Sequence, residues 1–186
     1  ISVELTEEEK AEYKKANQMF VHYKYKLGQF DAFNEAKRIL ASSNVGGHEK
    51  QWAVLFYKAI RQRKAVVDFA INKIDTIKKI VFSKLTSKIL TFAGANEFTD
   101  KISDSLGDLA MAYHSKRTKK QKDLALLSFR TNKVKVLCST KALNQGFDVP
   151  DADMGIICGV TSKSLSKSSV KGLTNVNWID NLTDIK

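Results

Sequence analysis

Apolar positions recur every three to four residues up to about Leu85 and then give way to short apolar runs separated by polar helices. Thr6, Glu7, Glu8 and Glu9 form a capping box, so a helix starts there and runs towards Leu27, with Gly28 ending it. Asp31 is placed to cap a second helix carrying Phe33, Ala36, Ile39 and Leu40. Asn44, Val45, Gly46 and Gly47 break the chain before a third. That third helix, from His48 past Val66, is apolar along Trp52, Leu55, Phe56 and Ala59 and basic further on. Ile74, Ile77, Ile80 and Val81 continue the helical period to about Leu85.

At Ser87 the character changes. Lys88 to Ala93 reads as a strand, followed by Gly94 and a helix with Phe98, Ile102 and Leu106 on one face. Leu109 to Tyr113 reads as a second strand. Thr118 to Gln121 is a second capping box, opening a helix through Leu124, Leu127 and Phe129. Val134 to Cys138 and Gly155 to Cys158 read as the third and fourth strands. Strands alternating with helices across short links imply parallel strands joined by right-handed crossovers. The expectation is therefore an all-helical segment, 1–86, leading into a doubly wound parallel α/β domain, 87–186. Beyond Gly159 the pattern fails: Thr161 to Thr174 is rich in Ser and Lys, and Val176 to Leu182, around Trp178, is expected to form a closing helix. The stretch from Thr161 fits either a basic loop or a junction near 165–168, between Leu165 and Val170, where residues of the parent are absent. The start at Ile1 likewise suggests a fragment of something longer.

Charge narrows the partner. Thirty-one Lys and Arg against twenty Asp and Glu give a net charge of +11 in 186 residues, which favours a polyanion. No apolar run approaches a membrane span and no signal peptide opens the chain, so an intracellular protein with no membrane partner is expected. Cys138 and Cys158 sit in apolar strands and read as buried thiols, and with three scattered His they make no metal pattern.

The carboxyl ends of parallel strands share one edge, and polar residues punctuate three of them: Thr91 to Gly94, Tyr113 to Ser115, and Ser139 with Thr140. Small hydroxyls and helix-start N–H groups at such an edge suit phosphate oxygens. Lys116, Arg117, Lys119, Lys120 and Lys122 crowd the loop and first turn after the second strand, either as a solvated helix start or as a nucleic-acid contact of the sequence-independent kind. Spacing alone identifies no Asp, Ser or Cys partner for His114, so a hydrogen-bonding role is the plainer reading. Asp148, between Gly146 and Pro150, either caps its own turn or faces a ribose or an arginine across a cleft.

Absences matter as much. No phosphate-binding G-x-x-x-x-G-K-[ST] occurs, no Asp-Glu pair follows an apolar strand, and all five arginines lie at or before Arg130. This chain by itself is not expected to hydrolyse a nucleotide.

The stretch from Ser139 to Asp153, STKALNQGFDVPDAD, closely resembles motif V of superfamily 2 DNA helicases, in the branch of XPB-like and phage branch-migration helicases. Lys88 to Gly94 looks like motif IV, and Ala112 to Ser115 with the lysine-rich helix looks like the next motif. The amino-terminal LTEEEKAEYKK is similar to the helical lead-in of that domain. Over Lys88 to about Ser164 the order fits the second RecA-like domain, the carboxy-terminal motor domain. The resemblance implies that Gly94, His114, Ser115 and Thr140 touch the nucleic-acid backbone, and the charge of the basic cluster adds Lys119, Lys120 and Lys122 as expected contacts. It implies that Gly146 and Asp148 line a cleft facing ATP and Mg2+ held mainly by a first RecA-like domain. The family's motif VI, a Gln and two arginines after Thr161 to Leu165, is absent, so no catalytic set is complete.

The function implied is the motor domain of an ATP-dependent DNA helicase or translocase of repair, recombination or replication, acting in the cytoplasm, or the host's if phage-encoded. Its partners would be single-stranded, forked or branched DNA, with RNA open, and the missing amino-terminal motor domain. The alternative is a non-enzymatic basic nucleic-acid-binding module of the same fold.

Overall fold

The computed structural model describes residues 3–44, 46–140, 152–159 and 177–179. The chain divides into two compact units, Leu5–Val67 and, with Ile1–Glu4, Asp68–Lys186.

The first unit is helical. Its α1 (Glu7–Lys26) begins at the Thr6 capping box, where Thr6 Oγ1 accepts from the Glu9 N–H at 3.2 Å and Glu9 Oε2 accepts from the Thr6 N–H at 2.9 Å. The helix ends at Leu27, and Gly28 follows at φ +84°, a conformation that suits glycine. In α2 (Ala32–Ala41) the expected cap fails: Asp31 precedes the helix but caps nothing, because its backbone (φ −136°, ψ 33°) is not the extended form that aims a side chain at the first turn. Its carboxylate accepts from Asn34 Nδ2 at 2.9 Å instead. α3 (Gly47–Asp68) completes the unit, whose core joins Leu27, Ala32, Ala36 and Ile39 to Ala53 and Phe56.

The second unit is α/β. The helical period read as running on to Leu85 is a separate helix, α4 (Asn72–Ser83), restarted after residues 69–71, and it belongs to this unit rather than to the helical one. Then follow β1 (Ile89–Phe92), α5 (Asn96–Leu106), a 3-10 turn (Gly107–Leu109), β2 (Ala110–Tyr113), α6 (Lys119–Arg130), β3 (Val136–Ser139), β4 (Met154–Ile157) and β5 (Asn177–Ile179). All pairings are parallel, in the order β2-β3-β1-β4-β5. The closing element expected as a helix over Val176 to Leu182 contains a strand. A short segment that extends along β4, with Gly155 opposite Trp178, satisfies backbone groups that β4 would otherwise leave open, which one or two helical turns could not do.

Period-two alternation sorts the strands between two cores. Ile89, Val136, Cys138, Met154 and Ile156 pack with Ile77 and Val81 of α4 and Phe98 and Ile102 of α5. Leu90, Phe92, Tyr113 and Leu137 face the other way, onto Ala125, Leu126 and Phe129 of α6. Helices therefore cover both faces, as a doubly wound sheet requires. Each large apolar side chain so buried contributes about 1.5–3 kcal/mol. At the amino edge, Asp153 Oδ2 accepts from the Lys88 N–H at 2.7 Å, tying the start of β4 to that of β1.

Candidate functional site

The carboxyl edge of the sheet brings together the ends of β1, β2 and β3 through one side chain that the sequence did not single out. Thr140 Oγ1, just past β3, donates to Asn96 Oδ1 at 3.1 Å, and Asn96 Nδ2 donates to Ser115 Oγ, just past β2, at 3.3 Å. Asn96 opens α5, so the row Ser115, Asn96, Thr140 crosses the edge in front of that helix's first turn. No side chain caps α5, because Ala95 stands at its cap position. The first-turn N–H groups thus face the same edge as the row of small polar groups.

His114 lies beneath this row, only 1% exposed. Its Nε2 is 2.8 Å from Asp100 Oδ1, and Arg117 Nη2 donates to the same oxygen. Arg117 Nε is 3.3 Å from that ring nitrogen. Nε2 cannot both give a proton to the carboxylate and receive one from the guanidinium. With the N–H on Nε2 donating to Asp100, one carboxylate oxygen accepts from both side chains, and the Arg117 Nε is left in van der Waals contact with the ring. Nδ1 is buried and has no partner among the described residues. Burial pushes the Asp100 carboxyl up, but the hydrogen bonds from His114 and Arg117 outweigh it and hold the group below its ordinary value. His114, named from the sequence as a nucleic-acid contact, here anchors the loop after β2 to α5.

The basic cluster after β2 divides by partner. Lys116 pairs with Glu97 of α5 at 3.0 Å and Arg117 with Asp100. Lys119, Lys120 and Lys122 make no ion pair among the described residues, and α6 has no acid in its first turn. The capping box at Thr118 satisfies that helix start without introducing negative charge: Thr118 Oγ1 accepts from the Gln121 N–H at 3.3 Å, and Gln121 Oε1 from the Thr118 N–H at 2.9 Å. Ser115, Lys119 and Lys120 are exposed, and Lys122 is half-buried.

Gly94 serves a close approach. A β-carbon there would stand 2.7 Å from the Gly159 carbonyl oxygen and 3.2 Å from Asp68 Oδ2. Gly159, at φ +120°, would in turn place a β-carbon 3.2 Å from Lys73 Nζ. Lys73 is 2% exposed and donates to the Cys158 carbonyl at 3.2 Å. Asp68, Lys73, Gly94 and Gly159 thus fasten the end of β1 to that of β4. Lys73 carries no periodicity signal that marks it as buried, and the half-buried Asp68 none that places it here; a pair of glycines ending two neighbouring strands is the available hint.

Gly146 and Asp148, with the rest of 141–151 and the junction between Leu165 and Val170, lie outside the described residues. Among the described residues no group of three His, Cys, Asp or Glu is placed to hold a metal ion, and no helix is long and apolar enough to cross a membrane. Both cysteines are free and buried.

Residues 72–172 match the model of the helicase conserved C-terminal domain. The chain is 30% identical over 105 residues to the 51.5 kDa protein of Lactococcus phage (isolate 7-9), covering 53% of this chain and 23% of that one. It therefore spans about a quarter of the length of the curated relative it matches. In fold it is similar to the SWI2/SNF2 ATPase core domain of Sulfolobus solfataricus, with a TM-score of 0.66 at 18% identity over 96% of this chain and 38% of the other. It is similar also to the SWI2/SNF2 ATPase C-terminal domain of the same organism, with a TM-score of 0.58 at 19% identity over 84% and 69%. The family match runs from the start of α4 through all of β1 to β4, more than half of the chain, and this chain belongs to the helicase conserved C-terminal domain family.

Proposed function

We propose that the chain is the carboxy-terminal motor domain of an ATP-dependent DNA helicase or translocase. The observation behind this reading is the row Ser115, Asn96, Thr140 in front of the uncapped start of α5, with Lys119, Lys120 and Lys122, which pair with no acid among the described residues, after the neighbouring strand. Hydroxyl and amide groups beside free helix N–H groups receive phosphate oxygens, and lysines that no acid neutralises attract them from a distance. The Asn96 amide is engaged at both ends by Ser115 and Thr140, so the row suits phosphate oxygens better than a base edge, and binding would follow the sugar-phosphate backbone whatever its sequence.

On this reading ATP and Mg2+ are held mainly by a first RecA-like domain, with Gly146 and Asp148 facing them. Opening and closing of the cleft would step the backbone along the strand ends. The close packing of Asp68, Lys73, Gly94 and Gly159 is compatible with such a stroke, since it joins the end of β1, beside which Asn96 stands, to the end of β4. Roles in repair, recombination or replication fit the same chemistry.

The test is Asp148→Ala in the full-length parent. DNA-stimulated ATP hydrolysis and unwinding are both expected to fall to background; unchanged rates would sink the motor reading and leave a non-enzymatic binding module.

A further inference from the structure

The helical unit carries a second surface that the sheet edge does not account for. Phe30 is 104% exposed and Tyr25 69% exposed, with Val21 also exposed beside them. None belongs to the unit's core. Two adjoining clefts at the end of α1 are both lined by Tyr25, Gln29 and Phe30, so the two rings border the same concave surface. Gly28, at φ +84°, turns the chain tightly here, and the Asp31 N–H donates to its carbonyl at 3.3 Å, which sets Phe30 on the outside of the turn.

The charge around these rings is positive on balance: residues 21–38 hold Lys24, Lys26, Lys37 and Arg38 against Asp31 and Glu35. Residues 21–30 read VHYKYKLGQF and contain no acid. Lys24 and Lys26 flank Tyr25, and Lys26 Nζ lies 5.5 Å from the Trp52 ring centroid. Both acids line one of the two clefts: Glu35 is neutralised by Arg38, which donates to it at 2.9 and 2.6 Å, and Asp31 accepts from the Asn34 amide, while Lys24 lines the other cleft. Exposed aromatic faces interleaved with lysines, in a stretch of net positive charge, suit a strand of unpaired bases, whose faces stack on the rings while the phosphates meet the ammonium groups. An apolar partner protein would match the rings but not the lysines.

We propose that Tyr25 and Phe30, with Lys24 and Lys26, form a base-stacking platform for single-stranded nucleic acid. This rests on the reading that the chain binds nucleic acid, and it assigns the base faces to the helical unit while the sheet edge takes the backbone.

The 186-residue chain is titrated with a labelled oligodeoxythymidylate and with an abasic strand of the same length. The parent chain is expected to prefer the strand with bases. Tyr25→Ala with Phe30→Ala is expected to weaken binding of that strand roughly ten- to hundredfold and to abolish the preference, with the salt slope unchanged. Tyr25→Phe with Phe30→Tyr, which keeps both rings, is expected to retain it. Lys119, Lys120 and Lys122 changed together to Gln separate the two ideas: loss of salt slope with the base preference kept supports both sites, and an unchanged slope with the preference kept removes the sheet edge alone. The platform is overturned if the alanine pair binds both strands as the parent does. It is overturned equally if the rings prove to hold a second copy, seen as self-association in sedimentation that the alanine pair abolishes while strand binding persists.

Discussion

The end of β1 touches the end of β4 through Gly94 and the Gly159 carbonyl so closely that one methyl group on Gly94 would stand 2.7 Å from the oxygen. Backbone cannot yield there as a flexible side chain could, because β1 and β4 are hydrogen-bonded neighbours up to Phe92 and Ile157. Gly94→Ala is therefore expected to destabilise the fold by about 1–3 kcal/mol, the usual cost of overpacking. Urea denaturation of the variant checks this. A variant of unchanged stability that had lost nucleic-acid affinity would assign Gly94 to the ligand instead.

Lys73 predicts a related loss by another route. Its ammonium group donates to the Cys158 carbonyl from a position 2% exposed. Lys73→Met keeps the length and removes the donor, leaving a buried carbonyl short of a partner at about 1–3 kcal/mol. Combined with Gly94→Ala, the two losses are expected to be non-additive, because both act on the same strand ends. Additive denaturation energies would show that the fastening is not one unit.

Asp100 ties His114 and Arg117 together with its carboxyl held below the ordinary value of 3.8. A depressed native value means that the stabilisation is complete above the unfolded value and is lost as pH falls through the native one. Stability of the parent chain should thus drop on acidification below about pH 4, and Asp100→Asn should flatten that limb while costing about 1–3 kcal/mol at neutral pH. Urea midpoints measured across the acid range decide it; an equally steep limb in the variant would mean other carboxyls are responsible.

Burial pushes the Cys138 and Cys158 thiols up to about 12. Neither is a thiolate at neutral pH, so a soluble disulfide reagent is expected to label them only at the rate of unfolding. The sign at high pH also follows: the unfolded thiols ionise from about 9 while the native ones stay protonated, so stability falls as pH rises above 9. Rapid labelling of the native chain would contradict the burial.

Lys119, Lys120 and Lys122 changed together to Gln should lower the slope of log affinity against log salt by about 2 to 3, three phosphate contacts at 0.7–0.9 each. The loss should be the same for any sequence. A slope equal to the parent's would remove these lysines from the interface.

Elements declared by local chemistry were legible before the structure. The Thr6 and Thr118 capping boxes need only residues three apart, and both are formed. The apolar blocks Lys88 to Ala93 and Val134 to Cys138 announce β1 (Ile89–Phe92) and β3 (Val136–Ser139), the latter running one residue further, into Ser139. What the sequence hid is set by crossovers. Asp100 meets His114 because α5 returns alongside β2, and no spacing rule encodes that meeting. Asn96 joins Ser115 to Thr140 for the same reason. The strand at Asn177 to Ile179 is not legible in the sequence because so short a segment takes its form from the neighbour it pairs with, not from its own period.

The strand order carries a consequence for how this chain comes into being. Ile89 of β1 pairs with Val136 on one side and with Met154 on the other, and both partners are synthesised later than β1 and β2. During translation the first-made strand therefore emerges with both flanks bare, and its neighbour in sequence, β2, is not its neighbour in space. Closure waits for long-range pairing, which is slow and leaves ILTF open to other chains meanwhile. A chain cut before Met154 would keep one flank of β1 bare and is expected to be aggregation-prone; a strand buried throughout in the finished domain is bare on both flanks in the nascent one.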